Sequence, residues 1–152
     1  MSMLRGNAPT TVDQKGRLKI PSAFRAAIQD TWGSDFSEFF VTSMTGESAL
    51  VYPLPVWQEI EDRLNELPFF DPTKKKLLDC INYYGQVTSI DTSSRILIPQ
   101  KLREEAQIAG EVAVLGCLKY LEVWNDKRIS SRIKDQRMAH SELQTLSQAM
   151  KV

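Results

Sequence analysis

The chain has 152 residues, 42% hydrophobic and 25% charged, the balance of an ordinary globular protein of one domain or two small, closely packed halves. Its 19 Lys and Arg offset 19 Asp and Glu, so attraction to nucleic acid has to come from a local patch and not from overall charge. There is no basic segment backed by an apolar run, no apolar stretch long enough for a bilayer, and Cys80 and Cys117 stand alone. The secreted, membrane-spanning and disulfide-scaffold classes are therefore set aside, and the expectation is a cytoplasmic protein with reduced, packed cysteines.

Residues 1–54 are expected to form the first half of the fold. Asp13 opens a tight turn, where its carboxylate can accept backbone N–H bonds, and Gly16 supplies any positive φ the turn needs. Beyond it, Leu18 and Ile20 point to one face of an extended strand and Arg17 and Lys19 to the other. Ile20-Pro21 closes that strand, because the residue before a proline is driven extended and proline suits the first turn of a helix. Phe24, Ala27 and Ile28 give the helix its apolar stripe. Two more strands are expected over residues 36–42 and 49–52, with a turn at 43–48 between them and Pro53 and Pro55 ending the sheet.

Residues 55–84 read as two connecting helices with a core face. Trp57, Ile60 and Leu64 recur at helical spacing in the first; Leu77, Leu78, Ile81 and Tyr84 do so in the second, which Asp71 caps and Pro72 starts. Residues 85–125 form the second half. Its short helix begins at Pro99 with Leu102, Ala106 and Ile108 apolar, and closing strands are expected over 111–115 and 118–124 around Gly116-Cys117. In the tail, residues 126–152, Asn125-Asp126 is placed to cap a last helix carrying Ile129, Ile133, Leu143, Leu146 and Met150 around a polar middle.

The second half repeats the first. Asp13-Gln14-Lys15-Gly16-Arg17-Leu18-Lys19-Ile20-Pro21 and Asp91-Thr92-Ser93-Ser94-Arg95-Ile96-Leu97-Ile98-Pro99 align without a gap at an offset of 78 residues, which also lays Arg25 on Arg103. The best-matched segment is a polar turn and not a core run, which points to a duplicated working surface. Together with Met3-Leu4-Arg5-Gly6 before the first copy, Val51-Tyr52-Pro53 and Trp57 after it, and Tyr120-Leu121-Glu122-Val123-Trp124 closing the second, these motifs resemble the MraZ family, two-repeat members of the AbrB/SpoVT-type DNA-binding superfamily, over residues 3–125. The resemblance implies an α+β fold: two swapped-hairpin, AbrB-like halves pairing within one chain into a pseudo-twofold, double-psi-like β-barrel with helices packed on it. It also implies a nucleoid-associated transcriptional regulator that needs no cofactor. Such a protein binds short direct repeats in double-stranded promoter DNA of the bacterial division and cell-wall operon, as a ring-forming homo-oligomer. The family's DNA-contacting Asp-x-x-x-Arg falls on Asp13/Arg17 and Asp91/Arg95. One departure is Ser93-Ser94, where the family places glycine before the arginine; it bears on the geometry of the second turn and on the role of Arg95.

The residues themselves lean the same way. Arg5, Lys15, Arg17, Lys19 and Arg25 face only Asp13 and Asp30 in the first thirty or so positions. Lys15 at the turn tip, Arg17 and Lys19 on one strand face and Arg5 on the leading segment are expected to reach one surface. A guanidinium there can fork to phosphate oxygens or to guanine O6 and N7, and a two-stranded ribbon fits the major groove. The competing reading is that Asp13–Arg17 and Asp91–Arg95 pair only to hold their turns. It bears harder on Arg95, whose neighbours are Ser93 and Leu97 where Arg17 has Lys15 and Lys19. Leu97, in the place of Lys19, is expected to carry a subunit contact, so that Leu97→Lys lowers the mass measured by light scattering. Arg25 and Arg103 read as structural, their stems covering the barrel ends. An enzyme has little to work with: His140 is alone in the polar tail, Gly-rich phosphate loops and Cys or His pairs at metal-ligand spacing are missing, and Glu59, Glu61 and Asp62 read as a solvated helix face. No catalytic, metal-binding or cofactor-binding residue is nominated. An AbrB-like protein-binding module, of antitoxin or scaffold type without promoter specificity, stays open beside the DNA-binding reading.

Overall fold

The computed structural model describes residues 2–152. The chain runs β1 (Asn7–Val12), β2 (Arg17–Lys19), α1 (Ser22–Trp32), β3 (Glu38–Thr42), β4 (Ala49–Pro53), α2 (Leu54–Glu66), α3 (Pro72–Tyr84), β5 (Gln86–Ser89), β6 (Arg95–Leu97), α4 (Gln100–Ala106), β7 (Gly110–Cys117), β8 (Tyr120–Asn125), α5 (Asp126–Asp135) and α6 (His140–Met150). Both copies of the repeated segment thus fold as strand, turn, strand and helix.

Each copy's leading strand crosses to the other half. β1 pairs with β7 from Asn7↔Leu115 to Val12↔Gly110, and β5 pairs with β3 from Glu38↔Ser89 to Val41↔Gln86. Every pairing is antiparallel, in the order β5-β3-β4-β8-β7-β1-β2-β6. Leu97 N–H donates to Thr88 Oγ1 at 3.4 Å across the two outermost strands, so the sheet nearly closes and little edge is left open. The result is the swapped-hairpin, pseudo-twofold α+β barrel that the family resemblance implies.

The pseudo-twofold axis passes between Leu18 and Ile96, equivalent residues that pair with each other. On either side, Ile20 N–H donates to Ser94 O (2.8 Å) and Ile98 N–H to Gly16 O (2.9 Å). β2 and β6 have three residues each, too few to hold together by ladder bonds alone. Burial holds them: Leu18, Ile96 and Ile98 are 0% exposed and Ile20 1%, each worth roughly 1.5–3 kcal/mol. A slip of one residue would drive Arg17 and Lys19 into this core, so the apolar pairs also fix which side chains face outward.

Helices close the barrel and extend it. Phe24 and Ile28 of α1 and Leu102 and Ala106 of α4 join the same core. A second apolar cluster lies outside the sheet, where Trp57 of α2 stacks on Phe40 with ring centroids 4.7 Å apart and Ile81 of α3 is buried. Asp71 caps α3, accepting the N–H groups of Thr73 and Lys74 at 2.8 and 3.2 Å, and Pro72 follows as the sequence predicts. Both cysteines are free and half-buried.

Two places depart from expectation. β7 runs through Gly116-Cys117, and the hairpin turns instead at Leu118, whose φ is 69°. Gly116 serves a close approach and not a turn: a Cβ there would stand 2.5 Å from Arg5 N, because Leu4 and Leu118 exchange backbone bonds of 2.7 and 3.0 Å across it. The tail, in turn, is two helices. Ile129 seats α5 against Ala113 and Trp124, whereas α6 buries no residue.

Gly116→Ala should therefore lower stability by about 1–3 kcal/mol through overpacking. The urea midpoint should fall with an unchanged slope; an unchanged midpoint would mean that the Leu4-Arg5 segment yields freely.

Candidate nucleic-acid interface

Asp13 builds the first turn. Its Oδ1 accepts the N–H groups of Lys15 (3.0 Å) and Arg17 (2.9 Å), its carbonyl accepts Gly16 N–H (2.9 Å), and its own N–H donates to Arg17 O (3.0 Å). Asp91 repeats the set with Ser93 (2.9 Å), Arg95 (2.9 Å), Ser94 (3.0 Å) and Arg95 O (2.9 Å). A short carboxylate is suited to this because it reaches backbone donors two and four residues on while keeping a second oxygen free. That oxygen, Oδ2, accepts the arginine Nε–H in both copies: Arg17 at 2.8 Å and Arg95 at 3.1 Å. The carboxyls of Asp13 and Asp91 are held below the ordinary value of 3.8, chiefly by the backbone N–H groups of Arg17 and Arg95, against an opposing desolvation.

The serine in the second copy preserves the turn. Ser94 adopts φ 59° where Gly16 has φ 87°, a left-handed conformation that costs a non-glycine residue roughly 1–2 kcal/mol. The difference shows in what covers each turn. Arg103 donates Nε–H to Ile98 O (2.9 Å) and lies across Gly16 so closely that a Cβ there would meet its guanidinium carbon at 2.4 Å. The equivalent Arg25 donates instead through Nη1 to Phe36 O at 3.2 Å. Gly16 is buried and Ser94 half-buried accordingly. The covering of the first turn by the second repeat's arginine was missed in the sequence; its signal was the Gly16/Ser94 difference combined with the matched Arg25 and Arg103.

The two turns form one face. In the β2–β6 ladder Arg17 lies opposite Leu97 and Lys19 opposite Arg95. The ladder bonds fall on the flanking pairs, so these are non-hydrogen-bonded pairs, the kind whose side chains stand closest. Arg95 Nη1 is 3.8 Å from Asp13 Oδ2, so the second copy's arginine also faces the first copy's carboxylate, and Lys19 Nζ donates to Ser93 O at 2.6 Å. Lys15 is exposed at the tip. Lys15, Arg17, Lys19 and Arg95 therefore gather around Asp13, Gly16 and Asp91, with Arg103 covering Gly16 beside them. The neighbourhood that Arg95 lacks in its own sequence is supplied across the ladder by Lys19.

Arg5 does not join this cluster. It sits beside the β7–β8 turn, where Gly6 O accepts Gly116 N–H at 2.8 Å, at the far end of six extended residues. At roughly 3.3 Å per residue that is about 20 Å from Asp13. The expectation of one shared surface is corrected because β1, paired with β7 along its whole length, separates Arg5 from the turn.

Pairing with aspartate and contact with a ligand are not alternatives for these arginines. Each carboxylate takes the Nε–H, and among the described residues the terminal nitrogens of Arg17 have no hydrogen-bond acceptor; the side chains remain 35% and 32% exposed for Arg17 and Arg95. A guanidinium held from its Nε side is a pre-aimed fork of N–H donors, the geometry that suits phosphate oxygens or a guanine edge. Among the described residues no group of three or more His, Cys, Asp and Glu is placed to hold a metal, and no helix is long and apolar enough to cross a membrane.

Comparison with known proteins matches residues 3–80 and 86–146 to the family model described as "MraZ protein, putative antitoxin-like". The chain is 44% identical over 146 residues to a protein of Acidobacterium capsulatum named Transcriptional regulator MraZ, covering 96% of this chain and 98% of that one. A protein of the same name from Koribacter versatilis is 44% identical over 145 residues, 95% and 97% of the two chains. One from Herpetosiphon aurantiacus is 32% identical over 126 residues, 83% of each.

Ser94→Gly should raise stability by about 1 kcal/mol by relieving the left-handed serine, and Gly16→Ala should lower it by at least about 1 kcal/mol, both read from urea midpoints. The carboxyl titrations carry a further expectation. With folded values depressed, the contribution of Asp13 and Asp91 to stability is present above 3.8 and is lost as pH falls through the lower folded values. Carboxyl NMR should place both midpoints below 3.8. Arg17→Ala should leave Asp13 depressed, since its backbone bond survives; a return to 3.8 would show that the guanidinium is the main cause.

Proposed function

The chain belongs to the MraZ family, and we propose on that premise that it is a sequence-specific DNA-binding regulator of transcription. The observation that carries this reading is the single face on which two repeats aim two aspartate-held guanidinium forks. A two-stranded antiparallel ribbon fits the major groove. Arg17 and Arg95 reach base edges or phosphates, Lys15 and Lys19 neutralise phosphates, and Asp13, Gly16 and Asp91 keep the turns in shape. Because the carboxylates already order the arginine side chains, less side-chain freedom is lost on binding.

Four cations in one protomer release few counterions, so tight binding calls for several protomers on one DNA. A homo-oligomer, closed as a ring, engaging short direct repeats upstream of its own division and cell-wall operon would supply that. It would act in the cytoplasm on the nucleoid. A protein-binding module is the second reading. It is favoured by Leu143, Leu146 and Met150 along α6, which are about half exposed, and by Phe69 and Phe70 at the α2–α3 turn, which are 85% and 90% exposed.

Fluorescence anisotropy of the labelled upstream fragment over a salt series tests the proposal. Wild type should bind with a steep salt dependence, and Arg17→Ala and Arg95→Ala should each weaken binding by roughly 5–150-fold while mass by light scattering stays unchanged. Folded wild type that ignores the fragment at low salt, yet retains a stoichiometric protein partner, would replace this reading with the second one.

A further inference from the structure

We infer that Leu97 is a base-reading residue that meets the C5-methyl group of a thymine when the β2–β6 ribbon lies in the major groove; this rests on the DNA-binding reading above. The outward face of the ribbon carries Arg17, Lys19, Arg95 and Leu97, and Leu97 alone is apolar. It is 38% exposed, directly opposite Arg17 in a closely spaced pair and two residues beyond Arg95 on the same strand face. It cannot withdraw. Its N–H is tied to Thr88 Oγ1, and its neighbours Ile96 and Ile98 are 0% exposed, so the register that buries them holds Leu97 outside.

A leucine between guanidinium groups adds nothing to a phosphate contact. On the base edges of the major groove, the one apolar feature is the thymine methyl. Paired side chains on a ladder stand roughly 4.5–5.5 Å apart at Cβ, and successive bases on one strand rise about 3.4 Å. The methyl met by Leu97 then lies one or two base pairs from the base or phosphate met by Arg17. The first repeat has Lys19 in the equivalent place, so the pseudo-symmetric face reads its two sides differently. A subunit contact centred on Leu97 would have to bury Arg17 and Arg95 with it. Asp13 and Asp91 take up only the Nε–H of each, so the terminal N–H groups of Arg17 would lose water without gaining an acceptor, and such burial is costly.

Deoxyuridine differs from thymidine only by this methyl group. The upstream fragment made with thymidine or with deoxyuridine throughout would be titrated by anisotropy against wild type, Leu97→Ser and Leu97→Met, with light scattering on each protein. Wild type and Leu97→Met should bind the deoxyuridine fragment about fourfold more weakly for each methyl contacted. Leu97→Ser should bind the two fragments alike, with mass unchanged. Equal binding of both fragments by wild type, or a methyl penalty that persists in Leu97→Ser, overturns the inference and leaves the DNA-binding reading standing. A persistent penalty combined with reduced mass in Leu97→Ser assigns Leu97 to a subunit contact instead. Failure of wild type to bind either fragment removes the DNA-binding reading and this inference together.

Discussion

Leu18 and Ile96 meet at the pseudo-twofold axis, and the burial of that pair, with Ile20 and Ile98 beside it, underlies everything else in the molecule. Two strands of three residues have no independent stability, yet here they join the halves of the chain. Because side chains alternate along a strand, burying these four on one face leaves Arg17, Lys19, Arg95 and Leu97 on the other. The hydrophobic core thus fixes the composition and spacing of the polar face. Swapped pairing reinforces this, since β1 is anchored along β7 and β5 along β3, so neither hairpin can shift without disturbing the opposite half.

The second organising element is the aspartate that opens each turn. One carboxylate satisfies two backbone donors and still holds the arginine by Nε–H, so structural and functional roles sit in the same side chain. An Asp–Arg pair at this exposure adds little to global stability. Its effect is orientation, with the terminal guanidinium nitrogens left available. The copies differ at one position: Ser94 adopts the left-handed turn conformation in the second, while Arg103 covers the glycine of the first. The two turns are alike in hydrogen bonding and different in their surroundings.

The helices divide by how they are held. α2 and α3 share an aromatic and aliphatic cluster outside the barrel, and α5 rests on β7 and β8 through Ile129. α6 makes no such contact and presents its apolar positions outward. The barrel face that carries the arginines is therefore independent of the tail, and a change in α6 need not alter the turns.

Much of this was legible in the sequence because it is written in local chemistry. The gap-free repeat announced the duplicated turn, alternation separated Leu18 and Ile20 from Arg17 and Lys19, and Asp71-Pro72 marked its helix start, since turns, strand faces and caps depend on neighbours within a few residues. What the sequence could not supply depends on groups far apart in the chain meeting in space. That Lys19 lies beside Arg95, that Arg103 lies over Gly16, that Gly116 admits the Leu4-Arg5 backbone, and that Arg5 stands a strand's length from the turn were decided by the barrel's pairing register. Residue type alone leaves that register open; burial of Leu18 against Ile96 selects it, and the selection turns two short motifs into one surface.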